Sequence, residues 1–348
     1  MEMSIGGINV SRLVNEVSIS GNTSACTRTL SAEILQSVTD AYIPIVNISK
    51  GQTTIFREGD LTHYGVIFRV SRSTNANTVT LQAYDLGIYI KKNQITRKVS
   101  GESPENVAKS ICEKLGFVDG YYEPTNFKFY RKFFGVTAYD AIMTGYTFAS
   151  EKTNDKYIMR VRNTRINVER KGAYIAAIIR PKANLIYATY SESIENAVNR
   201  VEVRSDGGSL LYALEGDTSY GTICHIIKDG DDARKNARNM IKDGEAERSA
   251  TVQILGNLNC LTGDAVIIKE PYTGIYGLFF IEEDVHMWKK GIYTTKLTLA
   301  YKNIMDEKEV GEKISQNRGG AGGSENSNGA ANDGDLTFTD PDGNTYVW

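Results

Sequence analysis

The sequence predicts a mainly β (α+β) protein: two related small antiparallel β-barrels, an inserted α/β domain and a flexible C-terminal tail. Three observations carry that expectation. Alternation of apolar and polar residues, the period of a strand with one buried face, concentrates before residue 94 and after residue 190. Helices with N-cap signals begin in the stretch between. Twenty tyrosines against six prolines in 348 residues suit pleated, half-buried surfaces. The expected organisation is 1–93 for the first barrel, 94–190 for the insert and 191–310 for the second barrel with one helix at 231–242. A tether over 311–334 and a hairpin-like docking segment over 335–348 complete it.

In the first region the alternating runs are Val17–Ser20, Leu30–Gln36, Val66–Val70 and Val79–Ala83. Between the last two, Ser71–Asn77 is Ser, Thr and Asn around one Arg and one Ala, which is hairpin-loop chemistry. In the middle region Ser103 is an N-cap, Pro104 suits the first helical position, and the helix runs to Leu115 and stops at Gly116. A second helix starts after Thr137 and carries Ala138, Ala141, Ile142 and Phe148, with Gly145 weakening it. Tyr157–Val161 and Tyr174–Ile179 read as strands of the same unit, near the polar strip Asn163–Arg170.

Strand texture returns at Val198–Val203, Ala250–Leu255, Ala265–Ile268, Gly277–Ile281 and Thr295–Tyr301. One helix, Asp231 to about Lys242, interrupts it with Ala233, Ala237, Met240 and Ile241 on one face. The stretch Gly319–Gly334 is Gly, Ala, Ser and Asn with isolated charges and cannot bury enough apolar area to order itself. Beyond it Leu336, Phe338, Tyr346 and Trp348 flank the turn signal Asp340-Pro341-Asp342-Gly343-Asn344. A hairpin that short is unstable alone, so these four residues are candidate partner-docking anchors.

Two stretches of the chain resemble each other. Gly51–Tyr84 has an extended start at Thr53 and Ile55, a turn, Gly65-Val66-Ile67-Phe68-Arg69-Val70, a polar loop and Thr80–Tyr84. Gly263–Tyr301 has Val266 and Ile268, a turn at Pro271–Gly274, Gly277-Leu278-Phe279-Phe280-Ile281, a polar loop and Thr298–Tyr301. The same order and punctuation occur twice, which predicts that Gly65–Val70 and Gly277–Ile281 occupy equivalent strands.

Composition narrows the function classes. Acidic and basic residues, 42 and 40, leave a net charge of -2, so no basic surface selects nucleic acid or anionic lipid. No window approaches the roughly 20 apolar residues of a membrane span, and Met1–Asn9 lacks a secretory signal, which implies folding and assembly in a bacterial cytoplasm. Cys26, Cys112, Cys224 and Cys260 are scattered singly and read as buried thiols. His63, His225 and His286 have no ligand spacing and read as surface or core histidines. Cys224 and His225 are strand neighbours on opposite faces, unable to act as a nucleophile pair.

The acidic strings Glu282-Glu283-Asp284 and Asp229–Asp232 read as a solvated strand stretch and a helix N-terminus rather than paired glycosidase carboxylates. Asp340, Asp342 and Asn344 mimic half of a calcium loop without its distal glutamate. No catalytic, cofactor-binding or metal-binding residues are expected, and no cofactor.

Several segments resemble a known family. Tyr84–Asn93, Ile194–Val203, Tyr220-Gly221, Leu255-Gly256-Asn257 and Gly263-Asp264-Ala265-Val266 are similar to the tail hub proteins of PBSX-like defective prophages, as is Arg28-Thr29-Leu30 on an early strand. Related hubs occur in clostridial contractile bacteriocins (R-type). The resemblance covers roughly Ile5–Tyr301. It implies a fold like the hubs of contractile-tailed phages and the base of type VI secretion spikes, and a homotrimer whose subunits each carry two related barrels. Such a ring presents six similar surfaces, matching a sixfold tail tube on one side and a threefold central spike on the other. The implied partners are the tail tube or tube-initiator protein, the central spike protein, the tape measure protein and the baseplate wedge. The implied protein is a non-enzymatic baseplate component. Some relatives are described as wall hydrolases, so a tail-associated peptidoglycan hydrolase is the alternative, with a wall-binding module as a third reading.

Overall fold

The computed structural model describes residues 1–314, apart from 38, 39, 41, 74–76, 119, 231 and 244–246, together with the backbone of strands 337–339 and 345–347. The chain is mainly β. The first run of strands is β1 (Glu2–Ile5), β2 (Ile8–Asn9), β3 (Val14–Asn22), β4 (Thr29–Leu35), β5 (Thr53–Glu58), β6 (Leu61–Ser73) and β7 (Thr78–Tyr84), followed by α1 (Gly87–Lys92). A middle region holds β8 (Gln94–Glu102), α2 (Pro104–Lys114), β9 (Phe129–Thr137), α3 (Ala138–Thr153), β10 (Tyr157–Arg162) and β11 (Arg165–Arg170). Then come β12 (Ile175–Ile179), β13 (Leu185–Ser193), β14 (Arg200–Arg204), β15 (Leu210–Glu215), β16 (Cys224–Lys228), α4 (Ala233–Asp243), β17 (Glu247–Leu255), β18 (Ala265–Glu270), β19 (Ile275–Lys289), β20 (Ile292–Ala300) and β21 (Glu312–Lys313).

A 13-stranded sheet is the frame of the molecule. Its path is β13-β17-β20-β19-β3-β4-β7-β6-β5-β1-β2, with β18 pairing β19 and β12 pairing β18 in parallel. Among the described residues, no pairing closes either half of this path on itself. Side chains alternate across each strand, so one face of each half carries a core. In the first half that core contains Met3, Ile19, Leu30, Ile34, Phe56 and Leu81; in the second, Val252, Ile254, Val266, Phe279, Ile281 and Leu297.

The middle region has its own core around α3. Thr137 caps this helix as its sequence predicts: the Asp140 amide donates to the Thr137 hydroxyl at 3.1 Å, and Asn154 ends the helix in the left-handed conformation. Gly145 is a packing requirement rather than a weak point, since a Cβ there would lie 2.9 Å from the Phe129 ring. On α2, Val107, Ala108, Ile111 and Cys112 face the same core, and Gly116 follows with φ +85°.

Four features depart from the sequence expectation. Tyr174–Ile179 does not join the middle unit: β12 and β13 pair with β18 and β17 of the large sheet. The middle region instead uses a β8–β9 pair that the sequence did not reveal. Residues 301–313 leave the large sheet and cross the middle region, where the amides of Lys308 and Val310 donate to the hydroxyls of Thr147 and Thr144 and β21 pairs with β9. Finally, β14, β15, β16 and α4 are not part of the second sheet; they form a small separate layer with Val201, Val203, Ala233 and Ala237 at its centre.

Residues Ile314–Trp348 are a second unit. Within it β22 (Thr337–Thr339) and β23 (Thr345–Val347) pair antiparallel, with Phe338 opposite Tyr346. Leu336, Trp348 and the tether Gly319–Gly334 lie outside the described residues.

Candidate assembly interface

The two halves of the large sheet repeat one design. The first has the order β3-β4-β7-β6-β5 and the second β13-β17-β20-β19-β18, antiparallel at every step. Both contain two β-bulges at matching places. One falls at Phe68 in β6 and at Glu282 in β19, just after Ile67 and Ile281 pair with Ala83 and Leu299. The other falls at Asn15 in β3 and at Ile186 in β13.

Gly51 and Gly263, with φ +86° and +93°, hold the same position before the outer strand. Each amide donates to the carbonyl of the isoleucine before the bulge, at 2.8 Å to Ile67 and 2.9 Å to Ile281. Bulges change which face a side chain points to, so coincident bulges fix coincident cores. Leu30, Ala32 and Ile34 correspond to Ala250, Val252 and Ile254, and Ile48 corresponds to Cys260, all buried. Gly65–Val70 and Gly277–Ile281 thus fall on equivalent strands, β6 and β19, as the sequence predicts, and within them Gly65 takes the place of Phe279.

The halves meet where β19 outruns β18. Beyond its bulge, Glu283–Lys289 pairs antiparallel with β3, with His286 opposite Ile19 and Trp288 opposite Val17. Trp288 thereby enters the first core, 4.7 Å from the Phe56 ring and stacked at 4.4 Å on Tyr293. Asp284 and His286 share its inward face and are fully buried.

A buried carboxylate needs a charged partner and hydrogen bonds. Arg28, from the turn before β4, grips Asp284 with both terminal nitrogens, one at 2.9 Å, and the Thr262 amide and hydroxyl each donate to it at 2.6 Å. His286 Nε2 lies 3.2 Å away, and Nδ1 is 2.7 Å from the Tyr293 hydroxyl. Burial alone would raise the Asp284 carboxyl; the Arg28 charge and these hydrogen bonds outweigh it and hold the group far below the usual carboxylate range.

Arg28 is fixed from its other side by Asp85. The Asp85 carboxylate accepts the Thr27 hydroxyl at 2.8 Å and the amides of Arg28 and Gly87 at 3.0 Å each. Burial nonetheless pushes its pKa up to about 6. His63, buried behind the same turn, is pulled down to about 4 by desolvation.

The middle region clamps the second half near the same joint. Arg160 donates to the Thr262 carbonyl and to Asp264 at 3.0 Å, while Lys171 pairs with Glu282 at the bulge. Thus Glu282-Glu283-Asp284 is not one solvated stretch: Glu282 is tied, Glu283 is exposed and Asp284 is buried. Sequence reasoning missed Asp284, His286 and Thr262. The available signal was Asp284-x-His286-x-Trp288, polar groups on an inward-facing period of two, together with Arg28 in the family-like Arg28-Thr29-Leu30.

The remaining candidates are scattered. His286 lies in the joint and His63 near its Arg28 turn, but His225 is exposed on β16. Cys26, Cys112 and Cys260 are buried, whereas Cys224 is exposed because the thin β14–β16 layer is covered by α4 on one face only. Of the docking candidates, Phe338 and Tyr346 sit opposite each other in register, and Leu336 and Trp348 fall outside the described residues.

The fold is shared with phage tail proteins. The chain is similar to the phage-like element PBSX protein XkdQ of Bacillus subtilis strain 168, 21% identical over 311 residues, covering 85% of this chain and 94% of XkdQ. Its fold is similar to the 43 kDa tail protein of prophage MuSo2 from Shewanella oneidensis, with a TM-score of 0.64 and 12% identity over 86% of this chain and 95% of that one. It is also similar to a tail protein from Neisseria meningitidis MC58, with a TM-score of 0.59 and 15% identity over 86% and 95% of the two chains. The YqbQ-like family model matches residues 17–300, which span both repeated halves, the joint and the middle region, and the chain therefore belongs to the YqbQ-like family.

Proposed function

We propose that this chain is the structural baseplate hub of a contractile tail, a trimeric and non-enzymatic adaptor between a sixfold tail tube and a threefold central spike. The observation that supports it is the duplication. Two sheet units of one design, joined edge to edge within one chain, let three chains offer six like surfaces to a tube while keeping threefold symmetry for a spike. The similarity to phage tail proteins supports a structural tail component, and the buried Arg28–Asp284 pair suits a rigid part better than a substrate site. A reconstruction of the assembled particle tests it: three copies between tube and spike are expected, and one or six copies at that level would sink the reading. The purified chain should clear no cell walls at any concentration; clearing would favour the hydrolase alternative.

The C-terminal strands carry a second part of this reading. Leu336, Phe338, Tyr346 and Trp348 dock on the spike or on a neighbouring subunit, with the Gly-rich segment holding them at an effective local concentration. The antiparallel pairing of 337–339 with 345–347 supports a hairpin that needs a partner surface. Particles lacking Asp335–Trp348 should lose spike attachment; normal attachment would remove the docking role.

A further inference from the structure

The joint between the two sheet units uses one strand edge of each, and the repeat leaves the matching edge of each unit open. Within the chain, the stretch of β19 beyond its bulge pairs with β3. By register the counterpart of that stretch is Arg69–Ser73 of β6, and the counterpart of β3 is β13. Among the described residues, β6 beyond its bulge pairs only with β7, and β13 pairs only with β17.

Burial follows the same division. The internal joint buries Asp284 and His286 on one strand and Val17 and Ile19 on the other. Their counterparts Val70, Ala188 and Tyr190 are only half-buried, and Arg72 is exposed. Arg72 turns back on its own unit, where its guanidinium donates to the Ile48 carbonyl at 2.6 Å.

We infer that the open edge of β6 in one copy pairs with the open edge of β13 in a second copy of this chain, in the register that β19 and β3 use internally. Open strand edges are templates for pairing, and here the template and its complement are on the same molecule. Transferring the internal register sets Val70 opposite Glu192, Ser71 opposite Ser191 and Arg72 opposite Tyr190 of the next copy.

The contact is head to tail. The internal joint passes from the second unit to the first, and the contact between copies passes from the first unit to the second of its neighbour. A ring of three chains would then repeat a single kind of joint all the way round. This inference rests on the trimeric hub reading and adds to it which strands meet, and in which register.

Paired cysteines test it on the full chain with Cys224→Ser, the exposed native thiol removed. S71C with S191C, and V70C with E192C, place thiols on adjacent cross-strand pairs, which alternate between the two pair types of an antiparallel ladder, so both spacings are sampled. Oxidation should give covalent dimers and trimers from each double variant and none from the single variants. S71C with Y187C, displaced by four residues or roughly 13 Å along the strand, should stay uncross-linked. A charge swap gives an independent reading at exposed positions: S71K with S191K should weaken trimerisation at least about 10-fold, and S71K with S191E should restore it.

Native mass spectrometry of the same samples separates the two levels. Trimers without the in-register cross-links, or with equal cross-linking in the displaced pair, overturn the edge pairing and leave the trimer standing. A chain that neither trimerises nor cross-links overturns both.

Discussion

Arg28 and Arg248 occupy the same place in the two sheet units, one residue before the strand positions Thr29 and Ser249, yet they do opposite things. Arg28 is 14% exposed and holds the fully buried Asp284; Arg248 is 59% exposed and pairs with Glu192, itself 44% exposed. The backbone frame around them is the same, down to the bulges. What differs is the neighbour: on the Arg28 side β3 pairs with β19 of the other unit, whereas on the Arg248 side β13 pairs with no further strand among the described residues. A duplicated unit thus keeps its core pattern and lets each edge take the chemistry that its surroundings demand.

The strongest way to break this comparison is to remove each arginine. Arg28→Ala strands a buried carboxylate and should cost about 3–5 kcal/mol, whereas Arg248→Ala should stay within about 0.5 kcal/mol, both read by urea unfolding of the isolated chain. Equal losses would mean that the two edges are not differently specialised.

The cores should behave alike where the edges do not. Ile34→Ala and Ile254→Ala remove matching, fully buried side chains and should each cost about 3 kcal/mol. A large disparity in calorimetry would show that the register equivalence does not extend to the packing.

Asp85 sharpens the difference through pH. Its counterpart in the second unit is Tyr301, which packs on Tyr190 and Phe279 instead of fixing an arginine turn. Because the Asp85 pKa is raised in the fold, from 3.8 to about 6, the folded state binds its proton more tightly than the unfolded chain. That contribution is fully present below about pH 4 and is lost as pH rises through 6. Relative to Asp85→Asn, the native chain should therefore gain about 2.4 kcal/mol between pH 7 and pH 4, at 1.36 kcal/mol per pKa unit. A pH-independent difference would remove the buried carboxyl from the account.

The smallest effect is at the paired glycines. Gly51→Ala puts a Cβ in open space at φ +86° and should cost about 1 kcal/mol through backbone strain alone. Gly263→Ala at φ +93° also meets Ile158 at 2.8 Å from its Cδ1 and should cost more, by differential scanning fluorimetry.

Much of this was legible in the chain. Ser103-Pro104 and Thr137 announce α2 and α3, and regular alternation announces β3, β4, β7 and β20, because caps and periods are local signals. β8 was hidden because Gln94–Glu102 buries only Val99 fully and otherwise reads as polar. The joint was hidden for a different reason. The bulge at Glu282 breaks the alternation just before Asp284, and the partner that makes that aspartate tolerable lies 256 residues away. The repeat was visible down to its starting glycines, Gly51 and Gly263, which hold the same backbone position, but the residue-by-residue register within β6 and β19 is set by bulges that leave no local signal.

The small layer of β14–β16 and α4 enters and leaves through one doorway. Ser193 and Glu247, the last residue before the excursion and the first after it, sit opposite each other in the β13–β17 ladder. In the first unit the same passage, from β3 to β4, takes only residues 23–28. A foreign domain with close termini could be spliced between Ser193 and Glu247, or the native one exchanged for a short turn, without asking the sheet to change shape. The chain thus has an insertion point that evolution or an engineer can refit independently of the large sheet.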